Sequence, residues 1–185
     1  MKRYLIAAFF GVLFTGTAAW ALESRKVDMD GDGFREADVL YEGGRVVRAV
    51  VDNDRDGRAD GTIFYKAGRR DHAELDTNRD GKIDSWISYY FTGVPWRVIE
   101  DLNRDGVPDY WSYLKNGVLY RWEQDRNRDG MPDIRTTYDV ATGKKTLVEQ
   151  SLDDDFDGIF ENMSNLTAAN REAAVPHSLA EALLR

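Results

Sequence analysis

Apolar and aromatic residues come in runs of about six, alternating with polar ones at period two, the spacing of strands rather than of amphipathic helices. Ser85-Trp86-Ile87-Ser88-Tyr89-Tyr90-Phe91 is followed by Thr92-Gly93 and Trp96-Arg97-Val98-Ile99-Glu100. In the next copy Tyr110-Trp111-Ser112-Tyr113-Leu114 leads through Asn116-Gly117 to Val118-Leu119-Tyr120-Arg121-Trp122-Glu123. β-Branched and aromatic runs joined by Asn-Gly or Thr-Gly predict β-hairpins. Gly44, Gly68, Gly93, Gly117 and Gly143 keep the turn in phase. Each hairpin is preceded by an acidic stretch, and these stretches start 24, 24, 25, 24 and 28 residues apart, the mark of one supersecondary unit in array. A four-stranded propeller blade needs roughly 40 residues or more. Both connections are short, so neighbouring strands are expected to be antiparallel. The predicted fold is all-β: an antiparallel meander of about six 24-residue loop-plus-hairpin repeats, with the acidic loops along one edge and the tight turns along the other.

Counting from the last acid of each loop, offsets 3 and 5 give Val39 and Tyr41, Ile63 and Tyr65, Ile87 and Tyr89, Ser112 and Leu114, Thr136 and Tyr138. The even offsets are mixed, so the odd set is expected to face the core. A sheet of ten or so strands twists and curls, which favours a curved sheet or open β-solenoid, with a closed barrel or sandwich as the alternative. Trp86, Trp96, Trp111, Tyr113, Tyr120 and Trp122 crowd the two central repeats. They are expected either to pair across strands or to form an aromatic surface for a sugar or protein.

The acidic stretches share one nine-residue phrase, D-x-[DN]-x-D-G-x-x-[DE], which occurs six times. The copies are Asp28, Asp30, Asp32 and Glu36; Asp52, Asp54, Asp56 and Asp60; Asp76, Asn78, Asp80 and Asp84. The later three are Asp101, Asn103, Asp105 and Asp109; Asp125, Asn127, Asp129 and Asp133; Asp153, Asp155, Asp157 and Glu161. Ca²⁺ takes six to eight oxygen ligands, and acids on alternate residues can wrap it while position 7 lends a carbonyl and Gly at position 6 makes the sharp turn. Asn at position 3 in three loops keeps an oxygen and removes a charge, so those loops are expected to bind more weakly. Pro108 and Pro132 at position 8 bias position 7 towards an extended backbone. One such stretch would be an ordinary turn. Here 21 of 33 acidic residues sit at presumed ligand positions, and such clusters repel unless a cation is present.

The loops are not complete EF-hands, because Val39, Ile63, Ile87, Ser112, Thr136 and Ser164 stand where the bidentate Glu of position 12 belongs. The phrase resembles the calcium loops of integrin α-subunit propellers and bacterial FG-GAP/VCBS proteins, in which it joins two β-strands. It is also similar to thrombospondin type 3 and dockerin loops, whose spacing continues differently after position 9, and to secreted bacterial proteins in which such a loop alternates with an aromatic hairpin. This resemblance covers about a third of the chain. It implies up to six Ca²⁺ ions and no particular activity.

Met1-Lys2-Arg3, an apolar run from Tyr4 to Phe14 and Ala19-Trp20-Ala21 read as a secretory signal over residues 1–21, so a secreted or periplasmic location is expected, with no transmembrane segment after cleavage. No cysteine is present, which excludes a disulfide framework. Residues 22–161 form the expected repeat domain; 162–185 form a tail in which Ser178 and Glu181 suggest the cap of a short C-terminal helix. Cleavage would remove two positive charges and no acid, moving the formal charge from -8 to -10, and six Ca²⁺ would bring it to about +2. Nucleic acid is therefore an unexpected partner of the ion-free chain. His72 and His177 are isolated and no nucleophile sits in an activating motif, so no enzyme is expected. Glu100 and Glu123 are expected to make ordinary cross-strand ion pairs with Arg97 or Arg121 neighbours. These features lead to an exported calcium-binding structural or adhesive module with a cell-surface protein or polysaccharide as partner. A carbohydrate- or protein-binding module using its aromatic face is the alternative, and a calcium-dependent polysaccharide-acting enzyme a remote one.

Overall fold

The computed structural model describes residues 22–29, 31–140 and 146–162. Twelve strands follow one another: β1 (Leu22–Val27), β2 (Ala37–Glu42), β3 (Arg45–Val51), β4 (Gly61–Lys66), β5 (Arg69–Leu75), β6 (Ser85–Tyr89), β7 (Pro95–Glu100), β8 (Tyr110–Lys115), β9 (Val118–Gln124), β10 (Ile134–Asp139), β11 (Thr146–Leu152) and β12 (Glu161–Asn162). They lie in one sheet in chain order, every neighbouring pair antiparallel. The sheet is open, with β1 and β12 at its two edges, so the barrel and sandwich alternatives are not what the chain forms. Among the described residues there is no helix. The expected signal segment, Asp30, the turn at Gly143 and the expected C-terminal helix lie outside the described residues.

Sequential order puts all acidic loops on one edge and the hairpin turns on the other. Each described turn has a glycine at positive φ: Gly43-Gly44, Ala67-Gly68 and Asn116-Gly117 place two consecutive residues in the left-handed region, the arrangement that matches strand twist in a two-residue hairpin.

The odd offsets are the buried ones. Val39, Ala49, Ile63, Ala73, Ile87, Val98, Ser112 and Trp122 pair residue by residue across β2 to β9. From Val39 to Ile87 large and small side chains alternate along that row, and Ala49, Ala73, Ile87, Val98 and Ser112 are almost fully shielded from solvent. Three clusters carry the burial: Ala37, Val39 and Ala49; Ala73, Ile87, Val98 and Leu114; Tyr110, Leu119 and Trp122.

Simple alternation fails at one place in every hairpin. The register slips by one residue near the start of the second strand, leaving Val47, Asp71, Trp96, Tyr120 and Val148 without a cross-strand partner. Each is a β-bulge, which bends the strand and increases its twist. The bulge also shifts parity, so Leu119 and Trp122, three apart, share the buried face.

Ile87 is 1% exposed whereas Val148 is 65% exposed. Ile87→Ala should destabilise the protein by about 2–5 kcal/mol through lost burial and a residual cavity. Val148→Ala should change it by less than about 0.5 kcal/mol, both read as denaturation midpoints by circular dichroism.

Candidate metal sites

Each acidic loop joins two adjacent strands, and the loops are tied together by the same ladder that builds the sheet. The first residue of each loop donates its N–H to the carbonyl of the last residue of the loop before it: Asp52 to Glu36, Asp76 to Asp60, Asp101 to Asp84, Asp125 to Asp109 and Asp153 to Asp133, at 2.8–3.0 Å. The closing acid in turn donates to the residue preceding its own loop, as Asp60 does to Val51 and Asp109 to Glu100. The loops therefore continue the sheet.

Inside the loops the carboxylates gather backbone donors. In loop 3, Asp76 Oδ1 accepts from Arg79 N at 2.7 Å and Oδ2 from Gly81 N at 2.7 Å. Asp101 repeats this with Arg104 N and Gly106 N, and Asp125 with Arg128 N and Gly130 N. Position 5 accepts from the N–H of position 7 in all six copies: Asp32 from Phe34, Asp56 from Arg58, Asp80 from Lys82, Asp105 from Val107, Asp129 from Met131 and Asp157 from Ile159. The closing acid reaches back to the loop start: Asp84 accepts from Thr77 N, Asp109 from Leu102 N and Asn103 N, and Asp133 from Arg126 N at 2.5 Å.

This network needs two left-handed residues per loop. Position 6 is glycine in every copy, with φ of 85–93°. Position 4 was not legible from the phrase: it is Gly31 in loop 1, Phe156 in loop 6 and Arg55, Arg79, Arg104 and Arg128 between them, all at positive φ.

Backbone donors occupy only part of each carboxylate's capacity, since two oxygens offer about four lone-pair sites. Three groups converge closely enough to hold a metal ion: Asp28, Asp32 and Glu36; Asp52, Asp54 and Asp60; Asp153, Asp155 and Asp157. In each group one oxygen per residue lies within 4.8 Å of the others. These are the three loops with Asp at position 3. Among the described residues, the carboxylates of the Asn-bearing loops, Asp76, Asp80 and Asp84, Asp101, Asp105 and Asp109, Asp125, Asp129 and Asp133, do not converge to that degree. Their Asn78, Asn103 and Asn127 accept from the N–H of Asp80, Asp105 and Asp129 at 2.9 Å, the bond that Asp54 accepts from Asp56 N in loop 2. Asp56 and Glu161 also stand outside the converging groups.

The donor set fits a hard cation. Glu36 is 8% exposed and accepts from Met29 N through Oε1, while Oε2 is buried with no hydrogen-bond partner. A buried carboxylate oxygen left so is costly, and an ion among Asp28, Asp32 and Glu36 would satisfy it. In loop 4, burial pushes the Asp109 carboxyl above the usual carboxylate range; the Leu102 and Asn103 amides oppose that rise and the Asp101 and Asp105 charges add to it. A nearby cation would favour the charged form.

The opposite face of the sheet carries the aromatic surface. Glu74, Trp86, Ile99, Trp111 and Glu123 pair in one row across β5 to β9, and His72, Ser88, Arg97, Tyr113 and Arg121 in the next. Trp122 does not belong to it: the bulge turns it into the core, where its ring stacks on Tyr110 at 5.7 Å. Trp96 and Tyr120 are the bulged residues themselves. Glu123 accepts from Arg135 Nε at 2.6 Å and Tyr113 Oη at 3.0 Å, with Arg121 at 3.8 Å. Glu100 lies on the face opposite Arg97, in register between Ser85 and Tyr110, which corrects the expected Arg97 pairing.

Among the described residues no helix is long and apolar enough to cross a membrane. Neither a protein-family description nor a curated protein matches this chain. Among solved structures, a crystal structure of accessory secretory protein 1, 2 and 3 in Streptococcus pneumoniae aligns at 16% identity and a TM-score of 0.40. It covers 57% of this chain, which spans 19% of that one, a likeness too slight to bear on activity.

Proposed function

We propose that this is an exported calcium-binding β-repeat protein in which up to six ions, one per loop, rigidify a structural or adhesive module at a cell surface or in a matrix. The observation that carries this reading is the Asp28, Asp32 and Glu36 group, three converging acids one of which keeps a buried oxygen without a partner. The ligands are the position 1, 3, 5 and 9 side chains of every loop. Because the loops share backbone hydrogen bonds with one another, ordering one restrains the next. Metal binding is then coupled to folding, as expected where no site is preformed in the unfolded chain. Extracellular modules of this kind hold calcium at about 10⁻⁴ to 10⁻³ M, a concentration met outside cells.

A second reading has its own support. Trp86, Ile99 and Trp111 stand directly side by side on the outer face and remain partly exposed, a platform on which a sugar ring could stack. Loss of glycan binding in Trp111→Ala with unchanged stability would favour it.

Calcium should raise the melting temperature, since a site held at about 10 times its Kd adds about 1.4 kcal/mol. A melting curve that is the same in chelator and in millimolar calcium rejects the proposal. Glu36→Gln should remove one ion from the total bound and shrink the calcium-induced rise in melting temperature. In the same assay Asn78→Asp should strengthen loop 3, and Asp54→Asn should weaken loop 2, each by several-fold.

A further inference from the structure

We propose that Arg55, Arg79, Arg104 and Arg128 form a calcium-gated cationic ladder along the loop edge that binds a linear acidic polysaccharide carrying one charge on every second sugar. This rests on the calcium reading above and names the partner of that edge.

The four arginines occupy position 4 of four consecutive loops and share one backbone conformation, with φ of 64–67°. All four are solvent-exposed. Left-handed backbone favours Gly or Asn and is uncommon for a long side chain. Gly31 supplies it in loop 1. Phe156 takes it in loop 6, so a long side chain is tolerated there, and the guanidinium is what the four intervening loops have in common at this position.

Successive loops are two strands apart in the sheet, so equivalent side chains recur about every 10 Å. A polymer whose sugars alternate between acidic and neutral presents carboxylates at a comparable interval. Duplex nucleic acid carries a much denser charge, about one phosphate per 3.4 Å of helix axis on each strand, than one cation per loop would balance.

The gate follows from where two of the arginines lie, against presumed ligands of the preceding loop. Arg55 pairs with Asp32 of the preceding loop and lies 4.0 Å over the ring of Phe34. Arg79 reaches Asp54 at 3.2 Å and Asp60 at 3.8 Å, again in the preceding loop. Each guanidinium thus stands in for a cation among presumed ligands. An ion taking those carboxylates releases the arginine to solvent. Among the described residues Arg104 and Arg128 make no ion pair. Charge follows the same switch: loops 2 to 5 hold 13 acids and 7 bases, a formal charge of -6 that four Ca²⁺ would turn to +2.

The test is retention of the mature protein on immobilised hyaluronan, with calcium uptake followed separately. Wild type should be retained in millimolar calcium and released by chelator. The fourfold variant Arg55→Gly, Arg79→Gly, Arg104→Gly, Arg128→Gly should lose at least tenfold in affinity while binding the same number of ions with an unchanged circular dichroism spectrum. The corresponding fourfold lysine variant should keep binding. Ion uptake without retention, equal retention of the glycine variant, or tighter binding to single-stranded DNA would each overturn the ladder and leave the calcium reading intact. No ion uptake would overturn the calcium reading, and the gate with it. If the glycine variant does not fold, Arg104→Gln with Arg128→Gln, which touch no recorded ion pair, should still weaken retention, and unchanged retention there rejects the ladder.

Discussion

Mutual repulsion of carboxylates held on one sheet edge is the constraint around which this chain is organised. Strand pairing forces it: each loop's first N–H is bonded to the carbonyl that closes the previous loop, so the acids cannot spread apart without opening the ladder. Three devices relieve the charge. Backbone amides turn inward onto positions 1, 5 and 9, made possible by two left-handed residues per loop. Arginines from a neighbouring loop reach Asp32, Asp54 and Asp60. What remains is the role proposed for calcium.

The rest of the fold serves to hold that edge in register. Among the described residues no second layer covers the sheet, and along β4 to β6 its buried row sets large beside small, Ile63 beside Ala73 and Ala73 beside Ile87, so that each large side chain covers its neighbours. At Gly61 an added Cβ would come within 2.5 Å of the Leu75 side chain and 3.0 Å of the Glu74 carbonyl, so this residue keeps its row close beneath the loops. Bulges at equivalent points bend each second strand before it enters the next loop.

Much of this was legible in the residues because it follows from local chemistry. Period-two runs and Asn116-Gly117 specified hairpins, and the odd offsets picked out Val39, Ile87 and Leu114 as core. The bulges were not legible, since nothing in Tyr120 or Val148 distinguishes a bulged residue from a paired one, and the parity change they introduce is what separates Trp122 from the aromatic surface and turns it into the core. Position 4 was hidden for a similar reason: arginine does not advertise a left-handed backbone as glycine does. The placement of Glu100 on the buried face depends on strand register rather than on its own preference for water. Within the loops the residue types were readable, and Asp at position 3 marks loops 1, 2 and 6, but which acids of those loops converge is three-dimensional.

Calorimetric titration of Ca²⁺ into the chelated protein of residues 22–185, with far-ultraviolet circular dichroism recorded at each addition, puts the central claim to its most direct test. Uptake of five or six ions accompanied by a gain of β signal is the result expected of an edge that repulsion loosens and the ion closes. A fold that is complete in chelator and takes up no ion would contradict the account, and would leave backbone amides and arginines as the whole answer to the crowded charge.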